Sequence, residues 1–166
     1  MKIILINGAG GVGKDTFVEI CQRMMDKDKI LNISTVDLIK QAAKILGWNE
    51  QKDEKGRKFL SDLKDLATEY SDLSVSYISK TILQAQEDGT EAIFVHCREP
   101  EELARLKERF DAITLLIKNN RVKPIESNHA DRDIEQYEYD FVIENNEGLL
   151  ELTKKAADFI KEIGVL

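Results

Sequence analysis

A chain of 166 residues, 42% hydrophobic and 33% charged, has the size and composition of one soluble globular domain and not of a disordered chain. Its 24 Lys and Arg stand against 31 Asp and Glu, a formal charge of −7. That field repels nucleic acid and anionic lipid, so any anionic ligand must be small and met by a local cluster of donors.

The opening "KIILIN" (2–7) is a continuous apolar run of strand length, the pattern of a strand buried on both faces. Phe17, Ile20, Cys21 and Met24 then recur at helical spacing over 14–26. "KILNIS" (29–34) reads as a second strand and "DLIKQAAKILGW" (37–48) as a helix stopping near Gly47. "NEQKDEKG" (49–56) is charged and aperiodic, hence a loop. Residues 57–87 are helical in two pieces, with a break near Asp72–Ser74. "EAIFVHC" (91–97) is a third strand, followed by a helix over 99–110 with Pro100 in its first turn. "AITLLIK" (112–118) is a fourth strand. Residues 119–137 are polar and lack core periodicity. "YDFVIEN" (139–145) is a fifth strand, and 147–163 is an amphipathic helix through Leu149, Leu152, Ala156, Ile160 and Ile163.

Strands alternating with helices predict one α/β domain over 1–166, a five-stranded parallel sheet with helices on both faces. Such sheets bind ligands beyond the carboxyl ends of their strands. Here those ends are 8–16, 34–40, 96–99, 119–133 and 144–148, with 49–64 folding over the same rim. Cys21 and Cys97 form no CxxC pair, which predicts buried thiols in a reducing compartment. The apolar run at the N-terminus is too short for a signal peptide or membrane span. The expectation is a cytoplasmic protein with no nucleic-acid or membrane partner, a monomer or homodimer.

The chemistry concentrates in "NGAGGVGKDTF" (7–17). Gly8-x4-Gly13-Lys14 follows a strand and opens a helix, the context a phosphate-binding loop requires. Gly8, Gly10, Gly11 and Gly13, with Val12 between them, let backbone amides converge on phosphate oxygens at a helix N-terminus. Lys14 adds a full charge towards the β- and γ-phosphates. Asp15 stands where a magnesium-binding Ser or Thr is usual, and Thr16 restores a hydroxyl one position later. The Asp15 carboxylate is expected to turn from the phosphate, serving the helix dipole or holding a magnesium-bound water. Mg2+ is then held mainly by phosphates and water.

"GAGGVGKDT" resembles the GKDT loop of small nucleoside monophosphate kinases, especially phage-type deoxynucleoside monophosphate kinases. "STVDLIKQAAKILGW", "DEKGRKFLSDL" and "FVHCREPEE" are similar to that family's segment after strand two, its acceptor-side helix and its strand-three end. "NHADRD" looks like part of its lid. The resemblance implies a three-layer α/β/α P-loop fold, an acceptor-binding helical region at about 37–88 and a short lid at about 119–137. It implies ATP and Mg2+ as cofactors and transfer of a phosphoryl group to a (deoxy)nucleoside monophosphate. GKDT also occurs in phosphomevalonate kinases, so another small phosphorylated acceptor is an alternative, as is a non-catalytic ATP-binding switch. His96 stands where the family's third strand ends in Asp, which removes a metal ligand expected there.

Transfer between phosphates needs positioned cations more than a general base. Lys14 covers the donor side. Arg57 and Arg98 are candidates for the acceptor phosphate, because guanidinium forks match phosphate oxygens. Arg121 and Arg132 lie in the lid-like stretch, whose closure brings a cation over the phosphates. Asp37 and Lys40 either contact the acceptor sugar or base, or respectively cap a helix and sit in solvent. His96 either contacts substrate or is a hydrogen-bonded core residue, and His129 lies in the lid-like stretch, where it is a candidate to close over phosphate. Asn145, with the residues up to Gly148, resembles the loop that meets adenine. The two histidines lack zinc-ligand spacing.

Overall fold

The computed structural model describes residues 1–25, 27–51, 53–122, 134 and 137–165, with only the backbone described at Lys27. The elements run β1 (Lys2–Asn7), α1 (Lys14–Met24), a 3-10 turn at Lys27–Lys29, β2 (Ile30–Ser34), α2 (Asp37–Ile45), α3 (Glu54–Ser71) and α4 (Leu73–Glu87). They continue with β3 (Ala92–His96), α5 (Pro100–Phe110), β4 (Ile113–Lys118), β5 (Phe141–Glu144) and α6 (Leu149–Glu162). The five strands make one sheet in the order β2-β3-β1-β4-β5, and every pairing is parallel. β1 lies at its centre, with Ile6 opposite both His96 of β3 and Leu115 of β4.

Parallel strands need crossovers, and crossover helices cover both faces of the sheet. This explains why β1 reads as an unbroken apolar run: Ile4, Ile6, Phe94 and Leu115 pack with α1 and α6, while Ile3, Leu5, Ile93 and Val95 pack with α4 and α5. Phe17 and Phe141 meet Phe159 edge to face at 5.7 and 5.1 Å, tying α1 and β5 to α6. At the β4–β5 edge the Asp140 carboxylate accepts from the N–H and hydroxyl of Thr114, each at 2.8 Å, and from Lys107.

Some expected boundaries move. The charged 49–56 stretch is not all loop, because α3 begins at Glu54. Asp53 caps it by accepting the Gly56 N–H at 2.7 Å. The cap was concealed in a run of acids and lysines. α2 ends at Ile45, ahead of Gly47 at φ 95°. The break in 57–87 falls at Asp72, which turns left-handed at φ 51° and accepts an ion pair from Arg105. Cys21 and Cys97 are buried free thiols, and no helix among the described residues is long and apolar enough to cross a membrane. Most of the lid-like stretch, including Arg132 and His129, lies outside the described residues.

Candidate phosphate-binding site

The loop between β1 and α1 sits at the carboxyl edge of the central strand. Gly8, Gly11 and Gly13 hold φ at 143°, 85° and 101°, values that side chains with a Cβ rarely adopt. Gly13 is the N-cap of α1, and no side chain caps that helix, so its N-terminus faces the loop mouth. The amides and dipole there are a ready anion site. Lys14 Nζ donates to the Gly8 and Ala9 carbonyls at 2.5 and 2.8 Å, which holds its ammonium at the same mouth.

Two asparagines brace this loop. Asn7, fully buried, accepts the Gly8 N–H on Oδ1 at 2.8 Å. Its Nδ2 donates to the Arg98 carbonyl at 3.2 Å and the Tyr139 hydroxyl at 2.8 Å. One side chain thereby ties the loop to the β3–α5 turn and to the approach to β5. Asn145 Nδ2 donates to the Val12 carbonyl at 2.9 Å, while its N–H donates to Lys118. A Cβ on Gly13 would lie 2.5 Å from that Nδ2, so the glycine serves space as well as φ. The bracing role of Asn7 was missed in the sequence; the one signal was a polar residue ending an apolar strand next to Gly8.

β3 delivers His96 to the rim beside the loop. Its side chain is 14% exposed, and Nε2 lies 3.7 Å from an oxygen of Asp15, whose own side chain is 88% exposed. That nitrogen is buried and makes no hydrogen bond among the described residues. Burial pushes the His96 pKa down to about 4; Asp15 and Asp37 pull it up, and Lys14 and Lys40 push it down. The imidazole is therefore neutral at pH 7. Its folded pKa lies below the ordinary 6.5, so stability is lost as pH falls from about 6.5 towards 4, by up to about 3 kcal/mol. Urea unfolding of the wild type and His96→Gln at pH 7 and pH 4.5 checks this. The variant loses less stability on acidification; parallel pH profiles would contradict the assignment.

Asp37 is not the N-cap of α2; Val36 holds that place. Asp37 begins the helix one residue later, and its carboxylate folds back to accept the Ser34 N–H at 2.7 Å. Lys40 Nζ lies 3.7 Å from the same carboxylate. Both flank the mouth from the β2 side. Arg98 occupies the β3–α5 turn above Asn7, and Arg57 is exposed in the first turns of α3. Arg121 is on the opposite side. With Thr16, Asn119, Asn145, Gly148, Leu149 and Leu152 it lines a cavity of about 230 Å³. The structure thus joins Gly8–Asp15, Asp37, Lys40, His96 and Arg98 around one mouth, sets Thr16, Arg121 and Asn145 at a side cavity, and leaves Arg57 exposed on α3.

The residues fit a polyphosphate, because Gly8, Gly11 and Gly13 hold left-handed φ values, no side chain caps the α1 N-terminus, and the Lys14 ammonium stands at the same mouth. For magnesium, a hard cation that keeps several waters, the exposed Asp15 carboxylate is a donor of the right chemistry for a bound water. Thr16 faces the side cavity instead. No group of three or more His, Cys, Asp or Glu side chains suited to a metal occurs among the described residues.

No protein-family model matches the chain, and no curated protein matches it. Solved structures do. The shikimate kinase of Aquifex aeolicus VF5 aligns over 99% of each chain with a TM-score of 0.56 at 17% identity. A cysteine-to-alanine mutant of the Mycobacterium tuberculosis APS kinase CysC aligns over 96% of each chain with a TM-score of 0.44 at 12% identity. The architecture is that of the P-loop kinase fold: a five-stranded parallel sheet between helices, with the glycine-rich loop after its central strand.

Proposed function

We infer that this chain is an ATP-dependent phosphotransferase whose acceptor is a small phosphorylated molecule, a (deoxy)nucleoside monophosphate. The observation that carries the reading is the two-sided mouth around Lys14. On one side Asn145, Arg121 and the 230 Å³ cavity form a recess on the scale of a single ring system, suited to the adenine of ATP. On the other, Asp37, Lys40, His96 and Arg98 surround the place an acceptor would take. The amides of the loop would hold the β- and γ-phosphates, and Lys14 would neutralise charge as the phosphoryl group moves. The Asp15 carboxylate would hold a magnesium-bound water, and Mg2+ would supply further charge neutralisation there. Arg98 would grip the acceptor phosphate from the β3–α5 turn, and Arg57 would approach from α3. An ionised acceptor phosphate needs no proton removed, so a neutral His96 in place of an acid leaves this chemistry intact. Asn7 would keep Arg98 and the loop in register, since it bonds both. Arg132, if the 119–137 stretch closes as a lid, would add a cation from above.

A coupled ADP assay with ATP, Mg2+ and a panel of nucleoside monophosphates, phosphomevalonate and shikimate tests this reading. ADP is expected only when a nucleoside monophosphate is present. Arg98→Ala is expected to raise the acceptor KM about tenfold or more, the loss of a charge-assisted hydrogen bond, with ATP binding within twofold. Equal loss of both would remove Arg98 from the acceptor side. Tight ATP binding with no turnover of any acceptor would leave the second reading, a nucleotide-binding switch. What favours that reading is His96, at a strand end where the resembled kinases carry Asp.

A further inference from the structure

α3 is a helix of 18 residues in which only Gly56 and Lys64 are buried. Its partners in packing are α2 and α4. The residue it sends deepest is thus a charged one. Lys64 Nζ donates to Glu102 Oε2 at 2.9 Å, and both side chains are more than nine-tenths buried. Glu99 Oε1 lies 3.6 Å from the same ammonium. Glu99 and Glu102 flank the start of α5, immediately after Arg98. The Cys97 thiol closes the cluster, 4.0 Å from Glu102 Oε2.

A buried ion pair is a poor source of stability, because desolvation offsets the attraction; apolar residues of similar size often do as well or better. In some proteins what a buried pair supplies instead is one fixed geometry. Arg57 and Lys64 are seven residues apart, two helical turns, so they share a face of α3 about 10 Å apart. Anchoring Lys64 to the start of α5 therefore sets where Arg57 stands relative to Arg98.

The geometry points to Lys64 as a positioning residue for acceptor binding: its pair with Glu102 pins the acceptor-side helix against the Arg98 turn and fixes the spacing of the two arginines. This rests on the kinase reading above, which assigns those arginines to the acceptor.

The test compares wild type, K64R and the double variant K64M/E102M, which leaves no unmatched charge inside. Each is assayed with the nucleoside monophosphate that the wild type turns over best. Amide hydrogen exchange is measured on the same proteins. The double variant is expected to keep its Tm within a few degrees, raise the acceptor KM about tenfold, keep the KM for ATP, and exchange faster along α3 while β1 and β3 stay protected. K64R is expected to restore most of the acceptor KM. An unchanged acceptor KM in the double variant overturns the proposal. So does a uniform loss of protection throughout the chain, which marks a pair that merely holds the fold. If the wild type turns over no acceptor, the kinase reading fails, and exchange alone judges the pin. Selective loosening of α3 then sustains it, and unchanged exchange overturns it.

Discussion

Lys14→Ala is expected to lower ADP formation by about a thousandfold, the scale of removing one preorganised charge from a transferring group. Its ammonium is held at the loop mouth by two carbonyls, Gly8 and Ala9, so it meets a phosphate there with little rearrangement. Those two bonds contribute modestly to folding, and the unfolding midpoint in urea should hardly change. The measurement is turnover with the best nucleoside monophosphate, alongside urea unfolding of the same preparation. Activity within tenfold of wild type would mean that Lys14 does not face the transferred group. A large loss of stability would mean that the bonds to Gly8 and Ala9 are its main role.

Gly8→Ala and Gly11→Ala should separate by about 2–3 kcal/mol although both glycines belong to one loop. A Cβ on Gly8 would lie 2.4 Å from the Ile117 carbonyl oxygen and 2.9 Å from Val12 Cγ2, at φ 143°. The oxygen belongs to the backbone of β4 and cannot swing aside. Strain and overpacking together cost about 4 kcal/mol, enough to lower Tm by roughly 10 °C in a chain of this size. Gly11 has φ 85°, but the nearest atom to its Cβ is Val122 Cγ1 at 4.0 Å. Only the left-handed backbone is penalised there, about 1–2 kcal/mol. Calorimetric melting of both variants decides the matter; equal Tm losses would contradict the loop geometry described above.

Much of this was legible in the sequence because the physics involved is local. β1 could be read from an apolar run, since a strand covered on both faces has no polar side. The phosphate loop could be read from glycine spacing, since the φ values at Gly8, Gly11 and Gly13 exclude most other residues. What could not be read depends on residues distant in the chain. Asn7 bonds Arg98 and Tyr139, 91 and 132 positions away. Lys64 looks like one more charge on a charged helix until α5 places Glu102 beside it. His96 could be placed at the rim from its strand, but its burial and its approach to Asp15 needed the neighbouring loop in place. The start of α3 was missed for a smaller reason, a cap of one residue inside a run of acids and lysines.

The claim beneath the whole account is that the turn between β1 and α1 receives a nucleotide polyphosphate. A crystal grown with ADP and Mg2+ tests it most directly. The account predicts phosphate oxygens within hydrogen-bonding distance of the amides of residues 10–16, Lys14 Nζ drawn from the Gly8 and Ala9 carbonyls onto a phosphate, and the base beside Asn145. ADP bound elsewhere at full occupancy, with Lys14 still on those two carbonyls, would contradict it.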